Sequence, residues 1–467
     1  MKLYNTLTKS VDEILPQTAG KVKMYTCGPT VYDYAHVGHW FTYVRADLLV
    51  RALKANDLEP TWVMNITDVG HLVSDADDGE DKLEKGARRE GKTAWEVAEF
   101  YAKDFLHEMR QLNITQPTHI VKATDHIAEQ ITLIQTLETK GYTYVIDDGI
   151  YYDTSKFERY ADFAQLDLDE QQAGARVSFN QQKRNASDFA LWKFSPKDSQ
   201  RDMEWDSPWG KGFPGWHIEC SAMSMKYLGD TLDIHTGGID HVPVHHTNEI
   251  AQSEAATGKQ FSRHWMHSNH VLVDGDKISK SLGNGIRLTD LVEQGISPAA
   301  FRMLVLESHY RSQSKFSLNG AQAAQARLKD LYAMAALRYQ PRAHANDGTT
   351  FSFHDVKAEV TALLAEDLNT PGVVAYLSDV SKQIQAVLLW HKSLPHFETM
   401  LSDLDELLGL NLSKVADITA GQKQLITERE TARGSKDWGQ ADKLRDELLS
   451  QNIELRDTEQ GVIWSYR

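Results

Sequence analysis

The stretch Lys21-Val22-Lys23-Met24-Tyr25-Thr26-Cys27-Gly28-Pro29 sets the fold of this chain. Its polar and apolar residues alternate as they do along a half-buried strand, and Gly28-Pro29 marks the turn at its end. Apolar residues then recur at helical spacing from Phe41 to Leu58, and a second strand-like segment spans residues 61–66. Because strand, turn, helix and strand make a βαβ unit, we predict a parallel sheet with its ligand at the C-terminal ends of the strands.

The pattern changes twice along the rest of the 467-residue chain, whose length suits roughly two to four domains. A helix is predicted over residues 93–111, but residues 115–205 mix strand-like segments with a polar stretch. This mixture indicates an insertion between two halves of a nucleotide-binding fold. Strand and helix signals alternate again over residues 231–270. Beyond about residue 319 the pattern is almost wholly helical, interrupted by a predicted loop at 343–349, and a compact tail begins near residue 419.

Composition limits the class of protein. The chain is 41% hydrophobic and 25% charged, as globular proteins are. It carries no signal-peptide run at its start and no segment of about eighteen or more apolar residues, so we expect a cytoplasmic protein without a membrane partner. The net charge of −16 argues against general affinity for nucleic acid but is compatible with local basic patches. An acidic run over residues 75–84 is typical of a solvated loop.

Two imidazoles and a glycine, His36-Val37-Gly38-His39, stand where the first predicted strand gives way to a helix. A helix N-terminus offers unpaired N–H groups and a favourable dipole to a phosphate. Gly38 would let a nucleotide lie against the backbone, while His36 and His39 could donate to phosphate oxygens as charge develops. Taken alone, so short a pattern is more typical of a surface loop.

A second segment, residues 274–284, reads Asp-Gly-Asp-Lys-Ile-Ser-Lys-Ser-Leu-Gly-Asn. Lys277 and Lys280 flank a hydroxyl in a loop with a glycine near each end. Such a loop suits a mobile clamp on a triphosphate, because lysine is a flexible point charge that can follow a phosphate as it leaves. The alternative is a solvated basic loop, and the histidine segment upstream favours the clamp.

Residues 36–39 and 277–281 resemble the HIGH and KMSKS signatures of class I aminoacyl-tRNA synthetases. Three further strings narrow the resemblance to the cysteinyl-tRNA synthetase family: YTCGPTVYD at 25–33, PGWHIECSAM at 214–223 and HHTNEIAQS at 245–253. The resemblance covers the whole chain. It implies an α/β protein with a Rossmann-type parallel-sheet catalytic domain that carries an inserted subdomain, followed by a helical bundle and a small C-terminal anticodon-binding domain.

The predicted boundaries follow from this resemblance and the pattern along the chain. Residues 1–115 and 206–270 are predicted as the two halves of the catalytic domain, and 116–205 as the inserted connective subdomain. The lysine segment and a contact to the tRNA stem are assigned to 271–318, the helical bundle to 319–415 and the anticodon-binding domain to 416–467.

The only cysteines of the chain, Cys27 and Cys220, both lie in these strings. In a reducing cytosol a disulfide is not expected, and the alternatives are two buried thiols or metal ligands. The family's zinc site corresponds to Cys27, Cys220, His245 and Glu249, with one Zn²⁺ per chain. His245 and Glu249 are four apart and share a helix face, although such a pair is more often a surface contact. His246 is the alternative ligand.

Zinc accounts for the choice of substrate that the resemblance implies. A hydrophobic pocket gains only about 1–3 kcal/mol from a small difference such as sulfur for oxygen. A direct bond between zinc and the substrate thiolate could reject serine without an editing site. The four-ligand set must then expand or lose its weakest member, for which Glu249 is our candidate. The resemblance also sets Gly28, Thr67 and Trp216 around the bound L-cysteine, although a tryptophan considered alone is more often a core residue.

The same resemblance implies that the cysteine carboxylate attacks the α-phosphate of ATP and that a ribose hydroxyl of tRNA(Cys) then attacks the adenylate. Catalysis would come mainly from positioning and charge stabilisation by His36, His39, Lys277 and Lys280, with Mg²⁺ on the phosphates. ATP is expected to contact Gly38, His36, His39 and Lys280. The sequence identifies no general base.

The tail, residues 428–464, matches the family's anticodon-binding domain. Arg433, Trp438, Asp442 and Asp457 are the residues carried over, since an aromatic ring can stack on an unstacked loop base and Arg or Asp can read base edges. The alternative is an ordinary helical hairpin with Trp438 in its core. We expect a monomer, because exposed apolar heptads are not evident.

Two departures from the family pattern leave rival functions open. Trp40-Phe41 replaces a small residue and an arginine, and residues 69–79 form an insertion that we interpret as a loop variant of the same enzyme. One rival is a related ligase that joins cysteine to an amino sugar, although such relatives lack the anticodon domain. The other is a catalytically silent paralogue that acts as a zinc-dependent RNA-binding or regulatory protein. Cysteine-dependent pyrophosphate exchange and the choice of acceptor separate these functions.

Overall fold

The computed structural model describes residues 1–70, 81–167, 181–196, 201–273, 275–277, 285–340, 351–387, 390–458 and 461–467. The chain divides into two compact units. The first consists of Met1–Leu288 with Tyr310–Lys315, and the second of Thr289–His309 with Phe316–Arg467. None of the helices in these described parts has the length and apolarity needed to cross a membrane.

The strands are β1 Lys2–Asn5, β2 Ser10–Glu13, β3 Lys21–Thr26, β4 Glu59–Ile66, β5 His119–Lys122, β6 Thr143–Ile146, β7 Gly149–Tyr152, β8 Phe189–Phe194, β9 Gly212–Pro214, β10 Leu232–Gly238, β11 Ser262–Ser268, β12 Val271–Val273, β13 Asp276–Lys277, β14 Ser314–Phe316, β15 Ile453–Thr458 and β16 Gly461–Tyr466. The α-helices are α1 Val37–Ala55, α2 Lys82–Glu90, α3 Ala94–Gln111, α4 Ile127–Thr139, α5 Trp216–Leu228, α6 Thr247–Thr257, α7 Leu288–Glu293, α8 Pro298–Leu306, α9 Leu318–Ala336, α10 Phe353–Ala365, α11 Thr370–Val387, α12 Trp390–Leu408, α13 Ala420–Gly434 and α14 Trp438–Ser450.

A parallel sheet in the order β11-β10-β3-β4-β5 organises the first unit. The chain runs outward from β3 through β4 to β5, and later adds β10 and β11 on the other side of β3. Ligands of such sheets bind at the C-terminal ends of the strands where the order reverses, here between β3 and β10. Cys27 directly follows β3, and its N–H donates to the carbonyl oxygen of Thr236 in β10 at 3.1 Å. The histidine and cysteine segments therefore lie at the expected ligand crevice.

The two residues that depart from the family pattern have a structural role in the core. Trp40 and Phe41 are both buried on α1. The indole N–H of Trp40 donates to the buried carboxylate of Glu108 in α3 at 2.8 Å, and its ring stacks on Phe105 with centroids 4.9 Å apart. Helix α3 begins with a capping box, in which Thr93 and Glu96 satisfy each other's backbone N–H groups. Trp40 thus connects α1, the helix that begins within the histidine motif, to α3.

The predicted insertion forms an antiparallel sheet in the order β6-β7-β8-β9. Its limits differ from the predicted 116–205. Strand β5, residues 119–122, pairs with β4 in the parallel sheet, while β9, residues 212–214, closes the antiparallel sheet against β8. Three of the four strands have only three or four residues, which is too little pattern to set the limits of the sheet from the sequence.

Most of the 69–79 insertion lies outside the described residues, but its two ends are held together. Val69 is buried, and Asp81 caps the N-terminus of α2 by accepting from the N–H groups of Leu83 and Glu84. The guanidinium of Arg201 pairs with Asp81 and donates to the carbonyl oxygen of Gly70 at 3.3 Å. The described residues on either side of residues 71–80 are therefore connected through the buried ion pair of Arg201 and Asp81.

The second unit is helical, as predicted, except at its end. Thr419 caps α13, at the position where the compact tail was expected to begin. The tail closes with the antiparallel pair β15–β16, which the sequence pattern did not predict. The side chain of Gln340 donates to the carbonyl oxygen of Trp464 at 3.0 Å and accepts from its N–H at 2.8 Å, which fastens β16 beside the end of α9. The predicted loop at 343–349 lies outside the described residues.

Candidate functional site

The four predicted zinc ligands come together at the switch point of the sheet. One donor atom from each of Cys27, Cys220, His245 and Glu249 lies within 4.8 Å of every other, and all four residues are buried. The sulfur atoms are 3.9 Å apart, Cys27 Sγ lies 3.6 Å from Glu249 Oε1, and His245 Nε2 lies 3.1 Å from the same oxygen. We call these four residues the Cys-Cys-His-Glu cluster.

Three elements supply the cluster. Cys27 follows β3, Cys220 lies in α5, and His245 precedes the helix α6 that carries Glu249. A single π turn, Val242–His246, joins β10 to α6 through one further short turn, and His245 is its fourth residue. Turns of this kind are rare and often occur at functional sites.

A second group of donors overlaps the first. Cys27, His235, His246 and Glu249 also have one donor atom each within 4.8 Å of all the others. His246 Nε2 lies 3.4 Å from Cys27 Sγ, and His235 Nε2 donates to Glu249 Oε2 at 2.9 Å. The alternative ligand that the sequence left open, His246, is therefore near the cluster, and Cys27 and Glu249 belong to both groups.

Further histidines are hydrogen-bonded to the ring nitrogens of His245 and of the alternative ligand, His246. His217 and His245 are hydrogen-bonded through their Nδ1 atoms at 2.9 Å. His246 Nδ1 is bonded to His267 Nε2 at 2.8 Å, and His267 Nδ1 to the hydroxyl of Thr6 at 2.7 Å. Outer partners of this kind fix which nitrogen faces an ion and how the ring is turned. These partners were not predicted from the sequence, in which the density of histidine over residues 217–267 is the one signal of them.

The electrostatics of the cluster favour a bound cation. Burial raises the pKa of the Cys27 thiol well above its usual range, and Cys220 and Glu249 raise it further. Burial also raises the pKa of Cys220, but the hydrogen bond from Cys27 and the charge of His245 outweigh it and lower this pKa. For Glu249, burial is opposed by His235 and His245, which hold the pKa of the carboxyl well below its usual range. Against its own burial, His245 has a pKa raised to about 10 by Glu249 and Cys220. Several buried charges thus converge on one point.

The spacing of the donors fits zinc. Tetrahedral bonds of about 2.3 Å to sulfur and about 2.1 Å to oxygen put two sulfurs about 3.8 Å apart and a sulfur and an oxygen about 3.6 Å apart. The corresponding distances here are 3.9 Å between Cys27 and Cys220 and 3.6 Å between Cys27 and Glu249. Two thiols with one imidazole and one carboxylate are also a donor set that suits this borderline-soft ion.

The histidine signature occupies the first turn of α1. His36 is the N-cap residue and its N–H donates to His39 Nδ1 at 3.2 Å, while the two rings stack with centroids 3.7 Å apart. The N–H of Val37 donates to the carbonyl oxygen of Ile286 at 2.8 Å. This bond joins the start of α1 to the segment that follows the lysine motif. The backbone of Lys277 lies in β13, whereas its side chain and Lys280 lie outside what the structure describes.

The residues predicted around the amino acid lie at the strand ends beside the cluster. Trp216 begins α5 and is partly exposed, with its ring 4.3 Å from that of His245 between centroids. Thr67 follows β4 and is buried, and its hydroxyl donates to Glu219 at 2.9 Å. The N–H of Gly28 donates to the side chain of Asn65 at 2.7 Å. Sequence reasoning did not single out Asn65 or Glu219, because a hydrogen bond between distant segments leaves no local pattern.

In the tail, Trp438 is 58% exposed at the start of α14, so it does not form the core of the helical hairpin. Arg433 lies over its ring, 5.8 Å from the centroid, and also pairs with Asp457 at 3.0 Å. Arg429, which the sequence analysis did not single out, donates two hydrogen bonds to the same carboxylate at 2.9 and 3.0 Å. Asp442 is exposed on α14. An exposed ring beside cationic groups is a surface that suits a stacked base.

Comparison with solved structures shows the fold, and a family model gives the class. Methionyl-tRNA synthetase of Mycobacterium tuberculosis, in complex with methionyl-adenylate, matches with a TM-score of 0.60 at 13% identity over 85% of this chain and 93% of that one. A LeuRS–tRNA–LeuAMS complex from Agrobacterium radiobacter K84 matches with a TM-score of 0.60 at 12% identity, covering 86% of each chain. Residues 13–326 also match the catalytic-domain family of class I (C) tRNA synthetases. The fold and the signature segments are therefore those of a class I aminoacyl-tRNA synthetase, which confirms the predicted fold class.

Sequence comparison narrows the class to one family. Residues 415–464 match the cysteinyl-tRNA ligase anticodon-binding domain. Cysteine–tRNA ligase 1 of Burkholderia lata is 46% identical over 99% of this chain and 96% of its own length. The cysteine–tRNA ligase of Treponema denticola is 40% identical over 99% of both chains. The chain belongs to the cysteine–tRNA ligase family, and the predicted resemblance is confirmed over its full length.

Proposed function

We propose that this chain activates L-cysteine with ATP and transfers it to the 3′ end of tRNA(Cys). The observation that carries the proposal is the buried Cys-Cys-His-Glu cluster at the switch point of the sheet, where a parallel sheet binds its ligand. Membership of the family, with both the catalytic and the anticodon domain present, supports the same activity. The rival that transfers cysteine to an amino sugar does not need the second domain.

The cluster is proposed to hold one Zn²⁺ through Cys27, Cys220, His245 and Glu249. When bound, zinc would supply a soft Lewis-acid centre for the thiolate of the substrate, which serine cannot match with its hydroxyl. Glu249 is the member we expect to yield its place, since His235 also donates to its carboxylate and can keep it in position. Trp216, beside His245, would cover the side chain of the amino acid, with Gly28 and Thr67 near its backbone atoms.

The nucleotide is proposed to lie against the first turn of α1. Gly38 admits it close to the backbone, and His36 and His39 donate to the phosphate oxygens in the transition state of adenylate formation. Lys277 and Lys280 would follow the departing pyrophosphate, with Mg²⁺ bound to the phosphates of ATP. The hydrogen bond from Val37 to Ile286 supports this arrangement, because it holds the residues that follow the lysine segment in the chain against the start of α1.

The tail is proposed to bind the anticodon. Trp438 would stack on an unpaired base, while Arg433, Asp442 and Asp457 would contact base edges or phosphates. The exposure of Trp438 and the cations beside it support this role. We further propose that the protein acts in the cytoplasm as a monomer.

The test is ATP–pyrophosphate exchange with cysteine and serine, measured before and after zinc removal and after its restoration. We expect exchange with cysteine alone, lost without zinc and regained with it. Charging of tRNA(Cys), with an amino sugar as the competing acceptor, then distinguishes the synthetase from the related ligase. No exchange by a folded, zinc-loaded protein would favour the RNA-binding paralogue.

A further inference from the structure

A chain of hydrogen bonds links the ends of β3 and β4 to the first turn of α5. The N–H of Gly28 donates to Asn65 Oδ1 at 2.7 Å, Asn65 Nδ2 donates to Thr67 Oγ1 at 3.0 Å, and the Thr67 hydroxyl donates to Glu219 Oε2 at 2.9 Å. Asn65, Thr67 and Glu219 are all buried. We call these four residues the Gly28–Glu219 relay.

The direction of every bond in the relay is fixed by its two ends. A backbone N–H can only donate, so Asn65 must turn its oxygen to Gly28 and its amide nitrogen to Thr67. A carboxylate can only accept, so the hydroxyl proton of Thr67 points to Glu219. The hydroxyl oxygen, already accepting once from Asn65, keeps one lone pair for a further donor. Its bond to a charged acceptor makes that oxygen a stronger acceptor in turn.

The charge around the relay favours a cationic donor. Asp68 is buried beside Thr67, where it accepts hydrogen bonds from Thr124 at 2.8 and 2.9 Å and lies 4.0 Å from the partly exposed ammonium group of Lys122. Burial raises the pKa of Asp68, and the charge of Glu219 adds to that effect, so the two carboxylates act on the same region. A group that carries positive charge is stabilised there, and an anionic group is repelled.

We propose that Glu219 is a positioning residue, which turns the Thr67 hydroxyl into an acceptor for the α-ammonium group of the amino acid. The inference rests on the proposed function, because that function brings an amino acid to Thr67. The relay also holds the backbone of Gly28 against Asn65. Only glycine fits there, because a Cβ atom would lie 1.6 Å from the carbonyl oxygen of Asn65. Recognition of the ammonium group is thereby separated from recognition of the thiol, which belongs to the Cys-Cys-His-Glu cluster.

The substitution Glu219→Gln tests the direction of the relay. The new amide can donate to Thr67 and reverse its hydroxyl, so that a proton instead of a lone pair faces the ammonium group. We expect the KM for cysteine in pyrophosphate exchange to rise by about 10- to 100-fold, the range for a hydrogen bond to a charged group. Binding of 3-mercaptopropanoate, which has the thiol and the carboxylate but no ammonium group, should change by no more than about twofold as measured by its inhibition constant.

A double-mutant cycle separates the relay from a general loss of structure. Thr67→Val removes the hydroxyl, so Glu219→Gln should cost no further affinity for cysteine in that background. Asp68→Asn is the matched comparison, since it removes a buried charge beside the relay without reversing the Thr67 hydroxyl, and it should raise the KM by clearly less than Glu219→Gln does. Zinc content, measured by metal analysis, should stay at one ion per chain in all variants.

Four outcomes would overturn the inference: equal losses for cysteine and 3-mercaptopropanoate, additive effects in the cycle, an equal effect of Asp68→Asn, or loss of zinc from the Glu219→Gln protein. Each leaves the exchange activity of the unaltered protein intact. Failure of the proposed function looks different, because the unaltered, zinc-loaded protein would then show no exchange with cysteine at all.

Discussion

Replacing Cys220 by serine distinguishes the two overlapping groups of metal donors. Cys27 and Glu249 belong to both groups, whereas Cys220 and His245 belong only to the proposed one. Four ligands of a structural zinc site share about 10–16 kcal/mol of binding free energy, or about 2.5–4 kcal/mol each. Because about 1.4 kcal/mol is a factor of ten, Cys220→Ser should weaken zinc binding by about 60-fold or more.

The matched variant is His246→Gln, which alters the other group. In the proposed arrangement His246 acts only through its neighbours, Cys27 at 3.4 Å and His267 at 2.8 Å. Loss of such an outer partner costs about 10- to 100-fold in metal affinity, and a glutamine that keeps part of the contacts should fall at the low end. Zinc affinity is therefore expected to be highest in the unaltered protein, lower in His246→Gln and lowest in Cys220→Ser.

The assay is competition for zinc with a chromophoric chelator, followed by metal analysis of the dialysed protein. Thermal unfolding of each variant in the zinc-free state shows whether the fold is retained, since the comparison requires folded proteins. The reverse order, with His246→Gln losing zinc while Cys220→Ser keeps it, would refute the assignment. The ion would then belong to the group formed by Cys27, His235, His246 and Glu249.

Further predictions concern parts of the chain away from the cluster. Trp40→Phe removes the hydrogen bond to Glu108 and should lower the free energy of unfolding by about 1–3 kcal/mol in guanidinium titrations; an unchanged value would contradict the role given to the indole. Trp438→Ala should leave the melting temperature and pyrophosphate exchange unchanged, because the ring is exposed, while kcat/KM for tRNA(Cys) falls by about tenfold or more through lost stacking. Equal charging by the variant would exclude a base contact there. The hydrogen bonds from Arg429 hold the pKa of Asp457 below its usual value. The stabilisation from this carboxylate should therefore be complete above the unfolded pKa, near 3.8, and be lost as the pH falls through the lower folded pKa. An NMR titration of the Asp457 carboxyl with an ordinary midpoint would disprove this pH dependence.

The central fold could be predicted because its signals are local. The alternation over residues 21–27 and the helical spacing after residue 37 each lie within one element, and together they specify the βαβ unit. The predicted strands and helix correspond to β3 Lys21–Thr26, α1 Val37–Ala55 and β4 Glu59–Ile66. The set of Cys27, Cys220, His245 and Glu249 needed more than spacing, since only the resemblance connected segments that lie far apart in the chain.

What the sequence did not reveal depends on long-range contacts. The hairpin β15–β16 has short strands whose burial comes from packing beside α9, as the paired hydrogen bonds between Gln340 and Trp464 illustrate. Strand β5 is four residues long and takes its place from pairing with β4. The histidine partners of the cluster and the Gly28–Glu219 relay are joined across the switch point, so each residue considered alone resembles an ordinary core polar group.

The position of the cluster also links metal binding to assembly of the sheet. The two cysteines are separated by 193 residues, and the antiparallel sheet lies between them in the chain. Each doubling of such a connection adds only about 0.6 kcal/mol to the cost of closing it, so the fold tolerates a large insertion at this point. A Zn²⁺ ion held as proposed would need donors from the end of β3, from α5 and from the start of α6, and so would bind only when both halves of the sheet have come together. Its binding free energy would then stabilise the completed sheet as well as the proposed pocket.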